Sequence, residues 1–336
     1  MTLFQVAIVG AGGSGLLALL LLLQTKKSKP SDIVLIDPYH DGGDLQRKWA
    51  HLVSNTIWEQ MLAILDSLGI VRDSLPEPWK SLDPKAPTQL QHYIQLLRFL
   101  VKPVYQECEC VFGMCTQIEE KEGYITLTVA GKEPQSISAK VCLLCLGADP
   151  KKEPFPIPTL PLEIALDPAK LNTYIQPNNK VLVLGTAHSG TLVIKNLHHL
   201  NVEHAAFYRG KEPFVFARDG HYDGIKQESE SVADDILAGR YSKTNLFPLT
   251  NTAQLLRWSR KADWIVYAIG FERRSLGTLN EYDGKTGQCK GYTRVWGFGI
   301  GFPNEAPDGQ HWDVSLPSFF AHIQRQIPQI VESFYV

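Results

Sequence analysis

The sequence predicts an α/β fold made of two three-layer units, each with a parallel sheet. Three observations predict it. An apolar strand runs through a glycine-rich turn into a helical run at residues 6–23, the same pattern returns at residues 180–200, and a proline-rich stretch lies between them. At 336 residues the chain is long enough for two domains of ordinary size.

Residues 6–9 (VAIV) form a short β-branched and apolar run, the mark of a buried parallel strand. They lead into GAGGSG at residues 10–15 and then into seven leucines and one alanine at residues 16–23. In such a turn Gly10 permits the bend, Gly12 lets backbone approach a pyrophosphate, and Gly15 lets the helix pack on the strand. The helix-end amides, with Gly13 and Ser14 among them, then face the phosphates. A second strand, IVLID at residues 33–37, ends in Asp37, which lies 22 positions after Gly15. A carboxylate there accepts hydrogen bonds from a ribose; the alternatives are a solvated strand-end carboxylate or a helix cap.

The second copy runs from VLVLG at residues 181–185 into TAHSG at residues 186–190. Gly185 and Gly190 hold the outer glycine positions, and Ala187 stands where a third glycine is usual. Ser189 and His188 lie inside the turn. His188 either touches the cofactor or hydrogen-bonds at the helix start, and it is assigned no proton-transfer role. The partner strand ends in YRGK, which offers Arg209 and Lys211 where an NAD-selective fold places an acid. That exchange favours a 2'-phosphate, hence NADP over NAD; the alternative is two ordinary surface cations.

Alternation at residues 124–129 and an apolar strand at residues 141–146 read as a strand meander appended to the first domain. Residues 147–161 carry five prolines and suit an extended crossover. WIVYAIG, residues 264–270, closes the second unit at Gly270, and FERR leads back out.

In this order of parts the chain resembles, over nearly its whole length, the flavoprotein superfamily that includes flavin-containing monooxygenases and thioredoxin reductases. The resemblance implies two Rossmann-like dinucleotide-binding domains, with FAD on the first turn, a nicotinamide cofactor on the second, and the second domain inserted in the first. Residues 1–160 and 276–336 then form the FAD domain and residues 161–275 the NAD(P) domain. The segment 297–301, with Gly299, returns to complete the FAD site. LCLGADPKKEPFPIP (residues 144–158) and WIVYAIGF (residues 264–271) resemble the superfamily's two ATG-type strands, with Leu146 and Ile269 replacing the threonine.

Two departures discriminate within the superfamily. Disulfide reductases of this shape need a CxxC whose lower-pKa thiol attacks a disulfide, and the only such spacing is Cys142 with Cys145. Strand residues three apart point to opposite faces, so these read as two buried apolar thiols. HLVSNTIWEQM at residues 51–61, following GGDLQRKW and its Trp49, resembles the monooxygenase segment that carries an asparagine beside the flavin. Asn55 matches that asparagine; its amide would hydrogen-bond the oxygen adduct of the flavin and keep it from collapsing to hydrogen peroxide. The alternative is that Ser54 or Asn55 caps a helix at residues 57–68. The monooxygenase fingerprint FxGxxxH is absent, and its interval holds LEIALDPAKLNTYI at residues 162–175.

Composition excludes several other classes. Lys plus Arg number 33 against 35 for Asp plus Glu, without long basic blocks, so no nucleic-acid partner is expected. Six irregularly spaced cysteines are too few for a disulfide scaffold and fit a reducing cytoplasm. The leucine run lacks a positive leading region and is preceded by the glycine cluster, so no membrane anchor is expected. His198, His199 and His204 read as solvated rather than metal ligands, and no metal is expected. The loop at residues 216–224, with Asp219, His221 and Asp223, is a specificity candidate. Trp296, Phe298, Phe302 and Trp312 are expected in the core.

The resulting expectation is an FAD-dependent oxidoreductase passing hydride from NADPH to FAD, of the monooxygenase kind, acting on a nitrogen or sulfur centre of a small molecule. The alternatives are an NAD(P)H reductase or oxidase without its own dithiol, and a cofactor-binding sensor that turns nothing over.

Overall fold

A computed structural model of the chain describes residues 2–218, 224–277, 279, 281–306 and 312–334. Asp219, His221 and Asp223 of the expected specificity loop lie outside them. The chain divides into two compact units, Met1–Asp149 with Arg273–Val336, and Pro150–Glu272.

The first unit opens with β1 (Leu3–Val9), α1 (Gly13–Gln24), β2 (Ile33–Asp37), α2 (Gly43–Arg47), β3 (Val53–Ile57) and α3 (Trp58–Ser67). It continues through β4 (Pro87–Gln89), α4 (Leu90–Tyr105), β5 (Glu109–Phe112), β6 (Met114–Lys121), β7 (Tyr124–Ala130) and β8 (Gln135–Leu144), and reaches the junction at β9 (Ala148–Pro150). The second unit holds α5 (Leu162–Ala165), α6 (Pro168–Tyr174), β10 (Lys180–Leu184), α7 (His188–His199), β11 (Glu203–Tyr208), α8 (Glu228–Leu237), β12 (Thr244–Pro248), α9 (Thr252–Lys261) and β13 (Trp264–Tyr267). After β14 (Phe271–Arg273) the first unit resumes with β15 (Val295–Gly297), β16 (Asn304–Glu305), β17 (Trp312–Asp313) and α10 (Leu316–Phe334).

The sheet of the first unit runs β5-β2-β1-β8-β7-β6, with β15 also paired to β8. β5, β2, β1, β8 and β15 are mutually parallel, whereas β6 and β7 are antiparallel additions. One strand serves both parts: residues 135–139 of β8 pair with β7, and its stretch from Ser138 to Leu144 pairs with β1.

Strand alternation sorts the two cores. Val6 and Ile8 of β1 face α1, α3, α4 and α10, while Ala7 and Val9 face the meander and the returning segment. The leucine run is the packed helix α1, with Leu16, Leu17, Leu19, Leu21 and Leu22 buried. Twelve residues span about 18 Å, well short of a bilayer core of about 30 Å. No described helix is long and apolar enough to cross a membrane.

The second unit has a four-stranded parallel sheet, β12-β11-β10-β13, over a core of Leu182, Leu184, Ala205, Phe207, Ile265 and Tyr267. Its junctions fall N-terminal to the boundaries expected at 160/161 and 275/276. The cause is hydrogen bonding: Lys151 N donates to Gly270 O at 2.9 Å and Leu160 N to Ile265 O at 2.9 Å, so the proline-rich stretch already belongs to this unit.

Three side-chain expectations are corrected. His204 is fully buried rather than solvated, between the Val202 carbonyl and the Thr244 hydroxyl. Trp312 is exposed, whereas Trp296, Phe298 and Phe302 are core residues. The N-cap of α3 is Ile57, with no side-chain bond, so neither Ser54 nor Asn55 caps that helix.

Candidate cofactor sites

In the first turn Gly10 has φ +100°, and a Cβ on it would meet the Cys145 carbonyl oxygen at 2.3 Å; a Cβ on Gly15 would meet Gly10 O at 1.9 Å. Both glycines are therefore required by the protein's own packing. Gly12 differs. Its φ of −79° is open to any residue, and a Cβ would come no nearer than 3.7 Å to Gly42 O. Nothing in the protein demands a glycine there, which is what close approach by a phosphate explains.

Gly12 is also the N-cap of α1, and no side chain caps that helix or places an acid in its first turn. The leading amides, those of Gly13 and Ser14 included, keep their positive field for an anion. The returning segment rests on the same place: a Cβ on Gly299, where φ is +83°, would lie 2.1 Å from Ser14 Oγ.

Asp37 is buried and accepts three hydrogen bonds from backbone. Its Oδ2 accepts from Ala11 N at 2.8 Å, and its Oδ1 accepts from Tyr39 N at 2.8 Å and His40 N at 2.9 Å. The carboxylate thus braces the glycine turn against the end of β2, and the solvated and helix-cap alternatives are corrected by its burial. Oδ2 retains a lone pair for a ribose. Beside it His40 Nε2 faces the Val111 carbonyl at 3.0 Å and must donate, which leaves Nδ1 to accept from the Tyr105 hydroxyl. Burial pushes that phenol well above its ordinary range.

A second glycine pair supports the first, and the sequence reading passed over it. Gly42 and Gly43 have φ +103° and +68°; Gly42 bridges Gly12, and a Cβ on Gly43 would lie 3.0 Å from Gly12 Cα. The signal was a double glycine shortly after the strand-end acid. Trp49 follows α2, half-buried, with its backbone N donating to Asp44 O at 3.2 Å. Flanking it, Gln46 Oε1 and His51 Nε2 are buried with no hydrogen-bond partner among the described residues. Such unmet polar atoms beside a glycine cradle fit a polar cofactor.

Asn55 lies on β3 with its side chain exposed, while Ser54 and Thr56 turn inward. Ser54 Oγ accepts from Thr56 N at 3.0 Å, and the Asn55 amide oxygen accepts from the Thr56 hydroxyl at 3.4 Å.

The second turn repeats the packing of the first. Gly185 has φ +98° and a Cβ there would meet Ala268 O at 2.2 Å; a Cβ on Gly190 would meet Gly185 O at 2.1 Å. Ala187 has φ −71° and ψ −168°, matching Gly12 at −79° and −169°, so the alanine costs no backbone strain. Ser189 continues the first turn of α7. His188 Nδ1 pairs with Ser229 Oγ at 3.1 Å, and burial, then the nearby Lys226, lower its pKa. Arg209 and Lys211 follow β11, exposed and without an ion-pair partner among the described residues. Gly270 has φ +94° and a backbone open on its Cβ side.

The thiols are held away from the thiolate form. Cys142 and Cys145 are buried, and burial pushes the first well above its ordinary value and the second to about 12. Cys108, Cys110, Cys115 and Cys289 are raised as well, chiefly by burial. Among the described residues no cluster of His, Cys, Asp and Glu is suited to a metal.

Arg274, from the FERR read only as an exit, ties the junction within the first unit. Its Nε and Nη2 grip Asp149 at 3.0 and 2.6 Å, Nη2 also meets Asp44, and Nη1 donates to Leu146 O at 3.3 Å. Burial raises the Asp44 pKa, but Arg274 and Lys48 outweigh it and hold the carboxyl below its usual range.

A family described as FAD-NAD(P)-binding matches residues 7–149, which contain the first turn, Asp37 and the second glycine pair. The chain is an FAD/NAD(P)-binding flavoprotein. It has the two-domain fold of the flavoprotein oxidoreductases. The flavoprotein is 25% identical to Monooxygenase AgnR1 of Paecilomyces divaricatus, with 96% of each chain covered. Among solved structures it is similar to a flavin-containing monooxygenase from Stenotrophomonas maltophilia, at TM-score 0.68 and 15% identity over 99% of each chain. It is also similar to the bacillithiol disulfide reductase Bdr from Bacillus cereus, at TM-score 0.66 and 11% identity over 99% of this chain and 100% of that one.

Proposed function

We propose that the flavoprotein is an NADPH-dependent monooxygenase that oxidises a nitrogen or sulfur centre of a small molecule. The observation that carries this reading is the state of its thiols. A reductase of this shape hands electrons from flavin to a thiol pair, which requires a thiolate near neutral pH. With Cys142 and Cys145 buried and Cys145 raised to about 12, that pair is a poor outlet for electrons, which favours an acceptor from outside the chain such as dioxygen. The relative named as a monooxygenase over nearly the full length supports the same branch.

When bound, FAD supplies two-electron redox chemistry and reactivity toward dioxygen, and the reduced nicotinamide supplies the hydride. This chain's residues bind and orient. The turn at residues 10–15 receives the diphosphate of FAD with Gly299 and Ser14 closing one side, Asp37 keeps the turn in place, and Trp49 borders the site. Gly185, Ala187, His188, Ser189 and Gly190 form the nicotinamide turn, with Gly270 near its exit. Arg209 and Lys211 recognise the 2'-phosphate. Asn55 offers an exposed amide as a hydrogen-bond partner for bound oxygen or substrate. Six unpaired thiols fit a reducing cytoplasm.

A second reading, an NAD(P)H oxidase or reductase lacking a dithiol, is favoured by one observation: the interval where monooxygenases carry FxGxxxH forms α5 and α6 without that sequence. The test is an absorbance spectrum of purified protein, anaerobic addition of NADPH, then air with a panel of amines and thioethers. Flavin bleaching, followed by oxygen uptake matched by oxygenated product, supports the proposal. Oxygen uptake matched wholly by hydrogen peroxide supports the oxidase, and a protein that stays colourless after FAD reconstitution defeats both.

A further inference from the structure

The second glycine pair, whose Gly43 lies against Gly12, is held between two carboxylates. Asp41 precedes it, and its Oδ1 accepts from Gly43 N at 3.1 Å; Asp44 follows it in the first turn of α2. Neither carboxylate stands alone. Arg47 bridges Asp41 and Asp44 at 2.9 and 3.1 Å, and Lys48 bridges Asp44 and Asp149 at 3.1 and 3.7 Å. Arg274 closes the ring, meeting Asp149 at 2.6 Å and Asp44 through the same Nη2. Among the described residues these three cations and three anions form one balanced network, all of it within the first unit.

The network's place sets an electrostatic condition on the turn. Asp44 is one residue beyond the glycine that meets Gly12, and only 16% of its side chain is exposed, so water screens its charge weakly. The charge persists at neutral pH, because Arg274 and Lys48 hold the carboxyl below its usual range against the effect of burial. A bare carboxylate there would repel the anionic diphosphate that the turn is shaped to receive. Lys48 belongs to the end of α2 itself, whereas Arg274 arrives from the far end of the inserted stretch, directly after β14. Its guanidinium also grips Asp149 beside β9, so one side chain fastens both chain crossings to the helix that backs the glycines.

We infer that Arg274 is a positioning residue for the dinucleotide at the residue 10–15 turn: by gripping Asp44 it cancels the carboxylate charge beside Gly12 and holds α2 against the turn. The inference rests on reading that turn as the FAD site. Arg274 acts through Asp44 and not by touching the cofactor, and the turn takes its diphosphate tightly only when the returning segment has docked.

The experiment titrates FAD-free protein with FAD, and separately with ADP, which carries the same diphosphate, at low salt and at about 0.5 M salt. Flavin fluorescence and calorimetric heat report the affinities, and the ligand-free thermal midpoint is recorded beside them. Arg274→Met is expected to bind both ligands roughly tenfold more weakly at low salt, the scale of one uncompensated charge near the protein surface. The defect should shrink at high salt. Arg274→Lys, which keeps the charge, and the double variant Arg274→Met/Asp44→Asn, which removes the carboxylate left bare, should both recover most of the affinity. Unaltered affinity in Arg274→Met overturns the inference. So does a lower ligand-free midpoint with a binding defect that neither salt nor Asp44→Asn relieves, the mark of a clasp that serves the fold alone. Lys48→Met strips a cation from the same carboxylate at the helix surface and carries the same expectation and the same refutations if Arg274→Met does not fold. Wild type that binds ADP but not FAD defeats the FAD reading alone, and the ADP titrations then decide the inference.

Discussion

Ser14 and Gly299 meet so closely that a Cβ on the glycine would sit 2.1 Å from the serine Oγ, on a backbone with φ +83°. The two residues are far apart in sequence, yet together they join the returning segment to the first turn of α1. Gly299→Ala combines left-handed strain with a steric clash and should cost about 2 kcal/mol or more. Urea denaturation of the FAD-free protein measures it. Adding Ser14→Gly should recover the steric share and leave the strain; full stability in the single variant would sink the assignment.

Gly12 and Gly15 should separate binding from folding. A Cβ at Gly12 would come no nearer than 3.7 Å to Gly42 O, whereas one at Gly15 would collide with Gly10 O at 1.9 Å. Gly12→Val should therefore fold, with a thermal midpoint close to wild type, and purify without flavin. Gly15→Ala should lose stability even without ligand. Full FAD occupancy in Gly12→Val contradicts the role given to the first turn.

Arg209→Ala is expected to weaken NADPH by tenfold or more while leaving NADH within a factor of two or three, because only the phosphorylated cofactor offers the guanidinium a dianion. Anaerobic rates of flavin bleaching at varied NADPH and NADH concentrations read it directly. Equal weakening of both would make Arg209 an ordinary surface cation.

His204 gives the second unit a specific acid sensitivity. Its Nδ1 donates to Val202 O at 2.9 Å and its Nε2 accepts from Thr244 Oγ1 at 2.9 Å, so the neutral ring is the bonded form, and burial lowers its pKa to about 4. A depressed folded pKa contributes stability that is present above the unfolded value near 6.5 and lost as pH falls toward 4. The contribution is on the order of 3 kcal/mol. Denaturation midpoints of wild type and His204→Gln at pH 7.5, 5.5 and 4.5 should converge on acidification. Parallel curves would show that the imidazole does not titrate on unfolding.

Both nucleotide turns were legible because each is local: strand, glycines and helix lie within about two dozen residues, and their chemistry is carried by spacing. Ala187 was legible as a departure but not as a harmless one, since its negative φ is a property of the fold. What the sequence could not display was the partner of each long-range contact. Asp37 was placed at the strand end, and two of its backbone donors, Tyr39 N and His40 N, follow it directly, yet the third, Ala11 N, comes from the glycine turn 26 residues earlier. Arg274 sits 125 residues from Asp149 and 230 from Asp44, and no local pattern couples them. His204 was misjudged because its neighbours along the chain say little about Thr244, which closes over it from the adjacent strand.

The division of the first unit around the second has a consequence for synthesis. The inserted unit, Pro150–Glu272, is one continuous stretch and can fold once it clears the ribosome. The earlier 149 residues cannot finish, because β15, which pairs with β8, and α10, which covers the leucines of α1, are translated last. Until then the nascent chain carries an uncovered leucine surface and an open strand edge, so the interval before its final residues emerge is when it most needs a chaperone.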